Sequence, residues 1–223
     1  KGKEVCSYID SHSAVNHKGR VINRDKYFKQ SVTWSKISSG NIAFRFKPNG
    51  FIFDVAGTSI FGDEKLLNSV MSFLNSKVCL SILSCLSPTL NYEVGHICSI
   101  PIKKEVISNE RAYEIGSSNK NISKHDWDSF ETSWDFTVHP LVKNKVNTIS
   151  KAYSLWNTEC SERFNKLKTN EEELNRIFID VYGLQDELDP YVEDKDVTVR
   201  KADLVRDIKS FISYAVGCMF GRY

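Results

Sequence analysis

The side chains best suited to chemistry in this sequence are basic and amide groups near its start. Residues 1–50 contain ten Lys or Arg and three Asp or Glu, a net charge of +7, although the formal net charge of all 223 residues is only +2. Lysine and arginine bind phosphate groups, and Arg and Asn can form paired hydrogen bonds with the edges of guanine and adenine. We therefore predict a surface that contacts a polyanion. Its nine side chains are Lys18, Arg20, Asn23, Arg24, Lys26, Lys29, Lys36, Arg45 and Lys47.

Among these nine residues, Arg20, Asn23 and Arg24 are the candidates for contacts with bases, and the others for contacts with phosphates. An excess of charge of this size also occurs on ordinary solvated surfaces. Charge alone therefore leaves a basic face without a partner as an open alternative.

The sequence lacks the motifs of several enzyme classes. It contains no G-x-x-x-x-G-K-[ST] loop, no G-x-S-x-G elbow, no glycine-rich strand-to-helix turn for S-adenosylmethionine and no N-P-P-Y tetrad. The six cysteines are irregularly spaced and form no C-x-x-C pair, so we expect reduced thiols in a cytoplasmic protein, without a metal site. No apolar run approaches the ~18 residues of a membrane span, and no signal peptide opens the chain.

A metal-dependent nuclease is an alternative function. Such enzymes hold a divalent ion with two carboxylates and a nearby lysine, and Asp54 followed by Asp63-Glu64-Lys65 has those residue types. The second group, however, stands at the start of a predicted helix, where Asp63 would serve as N-cap. Capping explains the same residues without catalysis.

The elements that must position the basic side chains are short strands. Residues 32–34, 41–46 and 51–55 are rich in β-branched and aromatic residues and are separated by turn residues. Helical spacing of apolar residues then predicts one helix over 63–87, and residues 94–100 suggest a last strand at a sheet edge. We predict a loop over residues 1–30.

The second half of the chain is predicted to be helical. Residues 103–147 are charged and rich in Asn and Ser, which favours a linker, with Trp127, Phe130, Trp134 and Phe136 packing a loop onto the body. Helices follow Asn147, interrupted by a capping box, Thr169-x-x-Glu172. The run after this box is predicted to end at Gly183, and a final helix begins near Asp203.

These patterns predict an α+β fold, in which a small, mostly antiparallel sheet packs with a helix and an α-helical region follows. We expect three parts: residues 1–107, a linker and docking segment over 108–147, and a helical domain over 148–223 that is truncated at its C-terminal end. The chain opens on Lys1 and its last helix has no stop signal, so we expect it to be cut from a longer protein.

Longer sequence strings add a family resemblance. FKQSVTWSKISSGNIAFRFKPNGFIFDVAGTSIF (28–61) and LSPTLNYEVGHICSIP (86–101) resemble the target-recognition domain of PglX-like adenine-specific DNA methyltransferases of bacteriophage-exclusion (BREX) systems and of type IIG restriction-modification enzymes. SKHDWDSFETSWDF (123–136), TNEEELNRIFIDVYGLQDEL (169–188) and ISYAVGCMFGRY (212–223) resemble the helical region that follows it. Two features of the family are missing here: a Trp- and Tyr-rich block before the basic stretch, and a continuation of the helical region.

The resemblance implies a module that recognises a sequence in double-stranded DNA for phage defence or restriction-modification, and that is not catalytic by itself. It implies that S-adenosylmethionine binds the parent enzyme's catalytic domain and not this chain. Partners would be double-stranded DNA, that catalytic domain and other subunits of the defence system. The alternatives are a helical protein-interaction scaffold and the nuclease fragment considered above.

Overall fold

The computed structural model describes residues 2–11, 22–40 and 42–223. Within these ranges the chain forms three strands and nine α-helices. The strands are β1 (Ser31–Ser35), β2 (Arg45–Lys47) and β3 (Gly57–Phe61). The helices are α1 (Lys3–Ser11), α2 (Glu64–Leu74), α3 (Lys77–Leu86), α4 (Val94–Cys98), α5 (Lys104–Ser108), α6 (Glu110–Asp128), α7 (Pro140–Lys143), α8 (Ile149–Tyr182) and α9 (Leu204–Met219). The predicted α+β class is confirmed.

The three strands form one antiparallel sheet in the order β2-β1-β3. Val32 lies opposite Phe46 on one side and Ile60 on the other, and these side chains face α2 and the main hydrophobic core. Trp34 and Phe44 are buried in the same core, as their apolar character predicts.

The prediction of a strand over residues 51–55 is wrong, and the strand lies at Gly57–Phe61 instead. The backbone of Gly50 and Phe51 exchanges hydrogen bonds with Phe28 and not with the sheet. The carboxylate of Asp54 then accepts hydrogen bonds from Ala56 N and Gly57 N, which turns the chain into β3.

The helix predicted over 63–87 begins where expected, because the Asp63 side chain accepts the hydrogen bond of Leu66 N. It is divided, however, into α2 and α3, which meet at an angle of 71°. Asn75, between them, bonds through its side chain to the backbone N and O of Phe44, and Ser76 caps α3 by accepting from Cys79 N. These local bonds compete with a continuous helix.

Two further predictions of local structure are wrong. Residues 94–98 form α4 and not an edge strand, because Glu93 and His96 make a reciprocal capping box at its start. The predicted loop over 1–30 contains α1, whose first turn has a favourable acidic residue, Glu4.

The Gly-Ser-Asn run at 116–121, predicted as part of a linker, is helical and lies within α6. This helix packs against α2 and α8, and Ala112 and Ile115 belong to the same core as the sheet. Leu174, Phe178 and Ile179 of α8 complete that core. The boundary proposed at residue 107 therefore crosses one hydrophobic core, although the division into domains stays a prediction.

The helix α8 is continuous over 34 residues, so the predicted break at Thr169-x-x-Glu172 is wrong. Leu167, Asn170 and Leu174 continue one buried face across that point, and tertiary packing outweighs the local capping signal. The helix ends as predicted at Gly183, whose φ of 70° suits glycine, and α9 begins as predicted after Asp203, which is its N-cap.

Smaller clusters complete the helical side. Phe130 packs with Trp156 of α8, and Phe136 with Tyr214 of α9, whereas Trp134 is fully exposed, so only part of the predicted aromatic docking occurs. The six cysteines are free, and Cys85, Cys98 and Cys218 are exposed. Within the described ranges, no single helix is long and apolar enough to cross a membrane; α2 and α3 together pass that test by length and composition only.

Candidate nucleic-acid interface

The face of the sheet turned away from α2, here called the outer sheet face, bears polar and basic side chains. Side chains directly opposite each other on paired strands point to the same side of a sheet. The strand pairing therefore gives two rows on this face. They are Arg45, Thr33 and Ser59 in one, and Lys47, Ser31 and Phe61 in the other.

Lys47 lies across the outer sheet face. Its Nζ donates a hydrogen bond to Ser59 Oγ at 3.1 Å and stands 5.6 Å from the centre of the Phe53 ring. Partial burial lowers the pKa of Lys47, and the charge of Asp54 opposes that shift. The ammonium group is thus positioned in advance and already partly dehydrated, so that contact with an anion has less water to remove.

Two hollows open at the outer sheet face and its margin. One, of about 460 Å³, is lined by six residues of the outer face and its margin: Lys26, Lys29, Gln30, Asn49, Phe61 and Gly62. The other, of about 420 Å³, is lined by Thr33, Lys47, Ile52, Phe53, Asp54 and Gly57. They adjoin, because the rings of Phe53 and Phe61 pack edge to face with centres 5.2 Å apart.

Four of the predicted cations thus lie on this side of the sheet: Lys26 and Lys29 line the first hollow, Lys47 lines the second, and Arg45 lies in the row next to Lys47. Lys26 pairs with the neighbouring Asp25 at 3.1 Å, an exposed contact of little energetic weight. Among the described residues, Lys29 and Arg45 have no carboxylate within ion-pair distance. Neither cation is therefore held in an ion pair in this part of the chain, although the charge of Lys29 contributes to the lowered pKa of Asp25.

Other predicted side chains have partners within the chain. The guanidinium of Arg24 binds the Asp10 carboxylate through two hydrogen bonds, of 2.6 and 2.8 Å, and these bonds lower the pKa of Asp10. The paired contact that would recognise guanine is thus already made to a carboxylate. Lys36 forms an ion pair with Glu93 at 2.9 Å. It follows the last residue of β1, whereas Ser31, opposite Lys47, is the first.

Asn23 lies directly before this group of cations, and its carbonyl oxygen accepts a hydrogen bond from Lys26 N at 2.9 Å. Asn23 is exposed in a left-handed conformation (φ 53°) before a short 3₁₀ turn, and its side chain does not cap that turn. Lys18 and Arg20 lie outside the described residues.

Sequence reasoning missed Gln30, Asn49 and Phe61, which line the first hollow. Pro48-Asn49-Gly50 has the composition of a turn, and turn residues signal a loop without saying what that loop faces. The two lysines Lys26 and Lys29, close to Gln30 in the sequence, were the local signal of a polar site.

The carboxylates considered for a nuclease are accounted for structurally. Asp54 accepts backbone hydrogen bonds of 3.0 and 2.8 Å at its turn, and Asp63 accepts one of 2.8 Å at the start of α2. In the described residues no group of three His, Cys, Asp or Glu side chains is arranged to hold a metal ion. The geometry therefore offers nothing in favour of the nuclease alternative.

The described residues form a basic surface on one side of the sheet, and comparison with known proteins indicates the class of protein. No family model matches the chain. Along its whole length, however, the chain is similar to adenine-specific methyltransferases.

Two relatives show this similarity. The adenine-specific methyltransferase PglX of Lacticaseibacillus casei (strain Zhang) is 48% identical over 232 residues, which cover 100% of this chain and 19% of the relative. The adenine-specific methyltransferase BrxX of Escherichia coli O9:H4 (strain HS) is 27% identical over 254 residues, with 20% of the relative covered. The resemblance to PglX-like methyltransferases is confirmed, and the chain spans about a fifth of the length of these relatives.

Proposed function

We propose that this chain is a DNA-recognition module of an adenine-specific DNA methyltransferase that acts in phage defence or restriction-modification. The chain would bind double-stranded DNA and position it, and would leave methyl transfer from S-adenosylmethionine to another part of the parent protein. The observation that supports this most directly is that Lys26, Lys29, Arg45 and Lys47 lie on the outer sheet face and its margin, in a chain that aligns throughout with adenine-specific methyltransferases.

The chemistry of this surface suits the DNA backbone. Lys29 and Arg45 have no carboxylate partner among the described residues, and Lys47 is held in place by Ser59. Phosphate contacts of this kind supply affinity and orientation, whereas sequence is read at base edges. We therefore propose that these cations position the DNA by binding phosphates. Contacts with bases stay the predicted role of Arg20, Asn23 and Arg24.

Charge reversal tests the proposal in the full-length protein. We expect Lys29→Glu combined with Arg45→Glu to weaken binding to a duplex by roughly 10- to 100-fold at about 100 mM salt, because repulsion replaces two phosphate contacts. The slope of log K against log salt concentration should fall by about two. Fluorescence anisotropy with a labelled duplex, titrated at several KCl concentrations, measures both quantities.

A matched control reverses two exposed lysines of α8, Lys151→Glu with Lys166→Glu, and changes the net charge equally. It should leave affinity and slope close to those of the wild type. Equal effects of the two pairs would show that only net charge matters, and unchanged binding in the first pair would refute the proposal.

A protein-interaction scaffold is the second candidate, and α9 favours it. Val205, Ile212, Val216 and Phe220 recur at helical spacing and are 63, 58, 45 and 86% exposed. Such a face suits a protein surface of the parent enzyme or of another subunit. Ile212→Glu should then abolish that association, with little dependence on salt and with DNA affinity retained.

A further inference from the structure

The hollow of about 460 Å³ beside the outer sheet face is lined by groups that can serve a single ligand. Its volume falls within the roughly 300–1,000 Å³ of pockets that hold small ligands or parts of larger ones. Lys26 and Lys29 contribute ammonium groups, which donate hydrogen bonds and cannot accept them. The amide of Asn49 presents either a donor or an acceptor to the hollow, depending on its orientation.

The structure determines the orientation of that amide. Gln30 N donates a hydrogen bond to Asn49 Oδ1 at 2.8 Å, and an NH₂ group could not accept it. The carbonyl oxygen is therefore engaged with the backbone, and the Nδ2 hydrogens remain for a ligand. Asn49 thus adds a donor to the two ammonium groups.

The loop that presents Asn49 is held in place by the backbone. Gly50 N donates to Phe28 O at 2.9 Å, and Phe28 N donates to Phe51 O at 3.1 Å. Gly50 has a φ of 104°, a backbone conformation that residues other than glycine rarely adopt. The segments that contribute Lys29 and Asn49 are consequently tied together on both sides of the amide, and the site is formed before a ligand arrives.

The apolar wall of the hollow is the ring of Phe61, packed on Phe53, and Gly62 leaves the rim without a side chain. Asp25 forms an ion pair with Lys26 and also feels the charge of Lys29, but it is not within ion-pair distance of Lys29, whose ammonium group can therefore meet an anion. Ammonium and amide groups donate hydrogen bonds, and a phosphate accepts them without donating any. The apolar wall beside these donors suits the sugar to which such a phosphate is attached.

We infer that this hollow binds one phosphate of the DNA backbone, with Lys29 and the Asn49 amide as its direct ligands and Phe61 against the adjoining sugar. The inference rests on the proposed function and adds a residue, Asn49, that the sequence assigned to a turn. Gln30 is a positioning residue, because its N–H orients the Asn49 amide.

The test uses Asn49→Asp in the full-length protein. Aspartate keeps an oxygen for Gln30 N–H, so the loop is retained, but its second oxygen presents a negative charge to the phosphate. We expect affinity for a labelled 24-base-pair duplex to fall about tenfold at roughly 100 mM KCl. Asn157→Asp, an exposed substitution on α8 with the same change of charge, should leave affinity unchanged.

A double-mutant cycle identifies the shared ligand. Lys29→Gln should lower the salt slope by about one, and in combination with Asn49→Asp the losses should be less than additive, because both residues contact one phosphate. Thermal unfolding of each variant checks that the fold is retained. Asn49→Ala also removes the oxygen that accepts from Gln30 N, and so shows how binding changes when the loop loses this bond.

The outcomes separate this inference from the proposed function. If the wild-type protein binds no duplex, or binds it without dependence on salt, the proposed function is overturned. If the wild type binds while Asn49→Asp matches Asn157→Asp, or if Lys29→Gln and Asn49→Asp are fully additive, only the phosphate site is overturned.

Discussion

At the scale of single residues, the described chain contains carboxylates held in opposite environments on one helix. Glu171 of α8 is largely buried beside Asp196, and loss of hydration, followed by repulsion from Asp196, raises its pKa to about 7. Glu173, two residues further on, binds Arg111 through two hydrogen bonds of 2.7 and 3.0 Å, which lower its pKa. Environment, and not residue type, decides which form of each carboxyl the fold favours.

Glu171→Gln should therefore stabilise the protein at pH 8 and leave its stability nearly unchanged at pH 5. A carboxyl with a folded pKa near 7 and an ordinary value of 4.5 binds more protons in the folded state between those values, so stability falls as pH rises through that window. Glutamine removes this loss, which is up to about 3 kcal/mol. Urea unfolding at pH 5 and pH 8 measures the difference.

Glu173→Gln is the matched control, because the lowered pKa of Glu173 gives the opposite sign. It should lower stability at pH 8, and only slightly, since the ion pair is exposed. An equal response of the two variants at pH 8 would contradict the assignment to environment.

At the scale of elements, the close approach of α2 and α6 depends on Gly116. A Cβ built at this position would lie 1.9 Å from Ser72 Oγ and 3.3 Å from Ser72 Cβ. Ser72 itself donates to Asn68 O within α2, so its hydroxyl cannot move without losing a buried bond. Glycine disfavours helices in isolation, yet here it permits two helices to pack.

Gly116→Ala should destabilise the protein by roughly 1–3 kcal/mol, although alanine is the better helix former, because overpacking outweighs propensity. Thermal or urea unfolding measures the change. Gly95→Ala in α4, where a Cβ would meet nothing within 4 Å, should be neutral or stabilising. Combining Gly116→Ala with Ser72→Ala should recover part of the loss, and no recovery would place the strain elsewhere.

At the scale of the whole molecule, the sheet and the helical region share one core. Phe73 of α2 packs against Phe178 and Tyr182 of α8, with ring centres 5.4 and 5.3 Å apart. The sheet is thus backed by α2, and α2 in turn packs against residues of α8 that lie more than a hundred residues further along the chain. Any motion of the helices relative to the sheet would have to disrupt this packing.

A chain limited to residues 1–107 should accordingly show no cooperative thermal transition. It would expose the core surfaces that α6 and α8 normally cover, including those around Phe178. A chain of residues 1–202, which lacks α9, should still unfold cooperatively, because α9 contributes nothing to the sheet-side core. Circular dichroism on heating compares them, and cooperative melting of the shorter piece would confirm an independent domain.

Much of the local structure follows from the sequence alone. Asp63 and Asp203 lie at predicted helix starts, where their side chains accept a backbone N–H, and Gly183 ends α8 because it tolerates a positive φ. The alternation around Val32 and Trp34 predicts a strand with a buried face, and the positive charge of residues 1–50 predicts an anionic partner. Each of these signals acts between neighbours along the chain.

Tertiary structure alone determined which strand completes the sheet, that residues 116–121 are helical, and which cations lie together. Phe28 pairs with Gly50 and Phe51 and so excludes them from the sheet, while Gly116 is buried against Ser72. Arg24 is engaged by Asp10, and Asn49 is turned toward the hollow by Gln30, through contacts between separate segments. Composition and periodicity describe a residue and its near neighbours, whereas these outcomes depend on contacts that exist only after distant segments have packed.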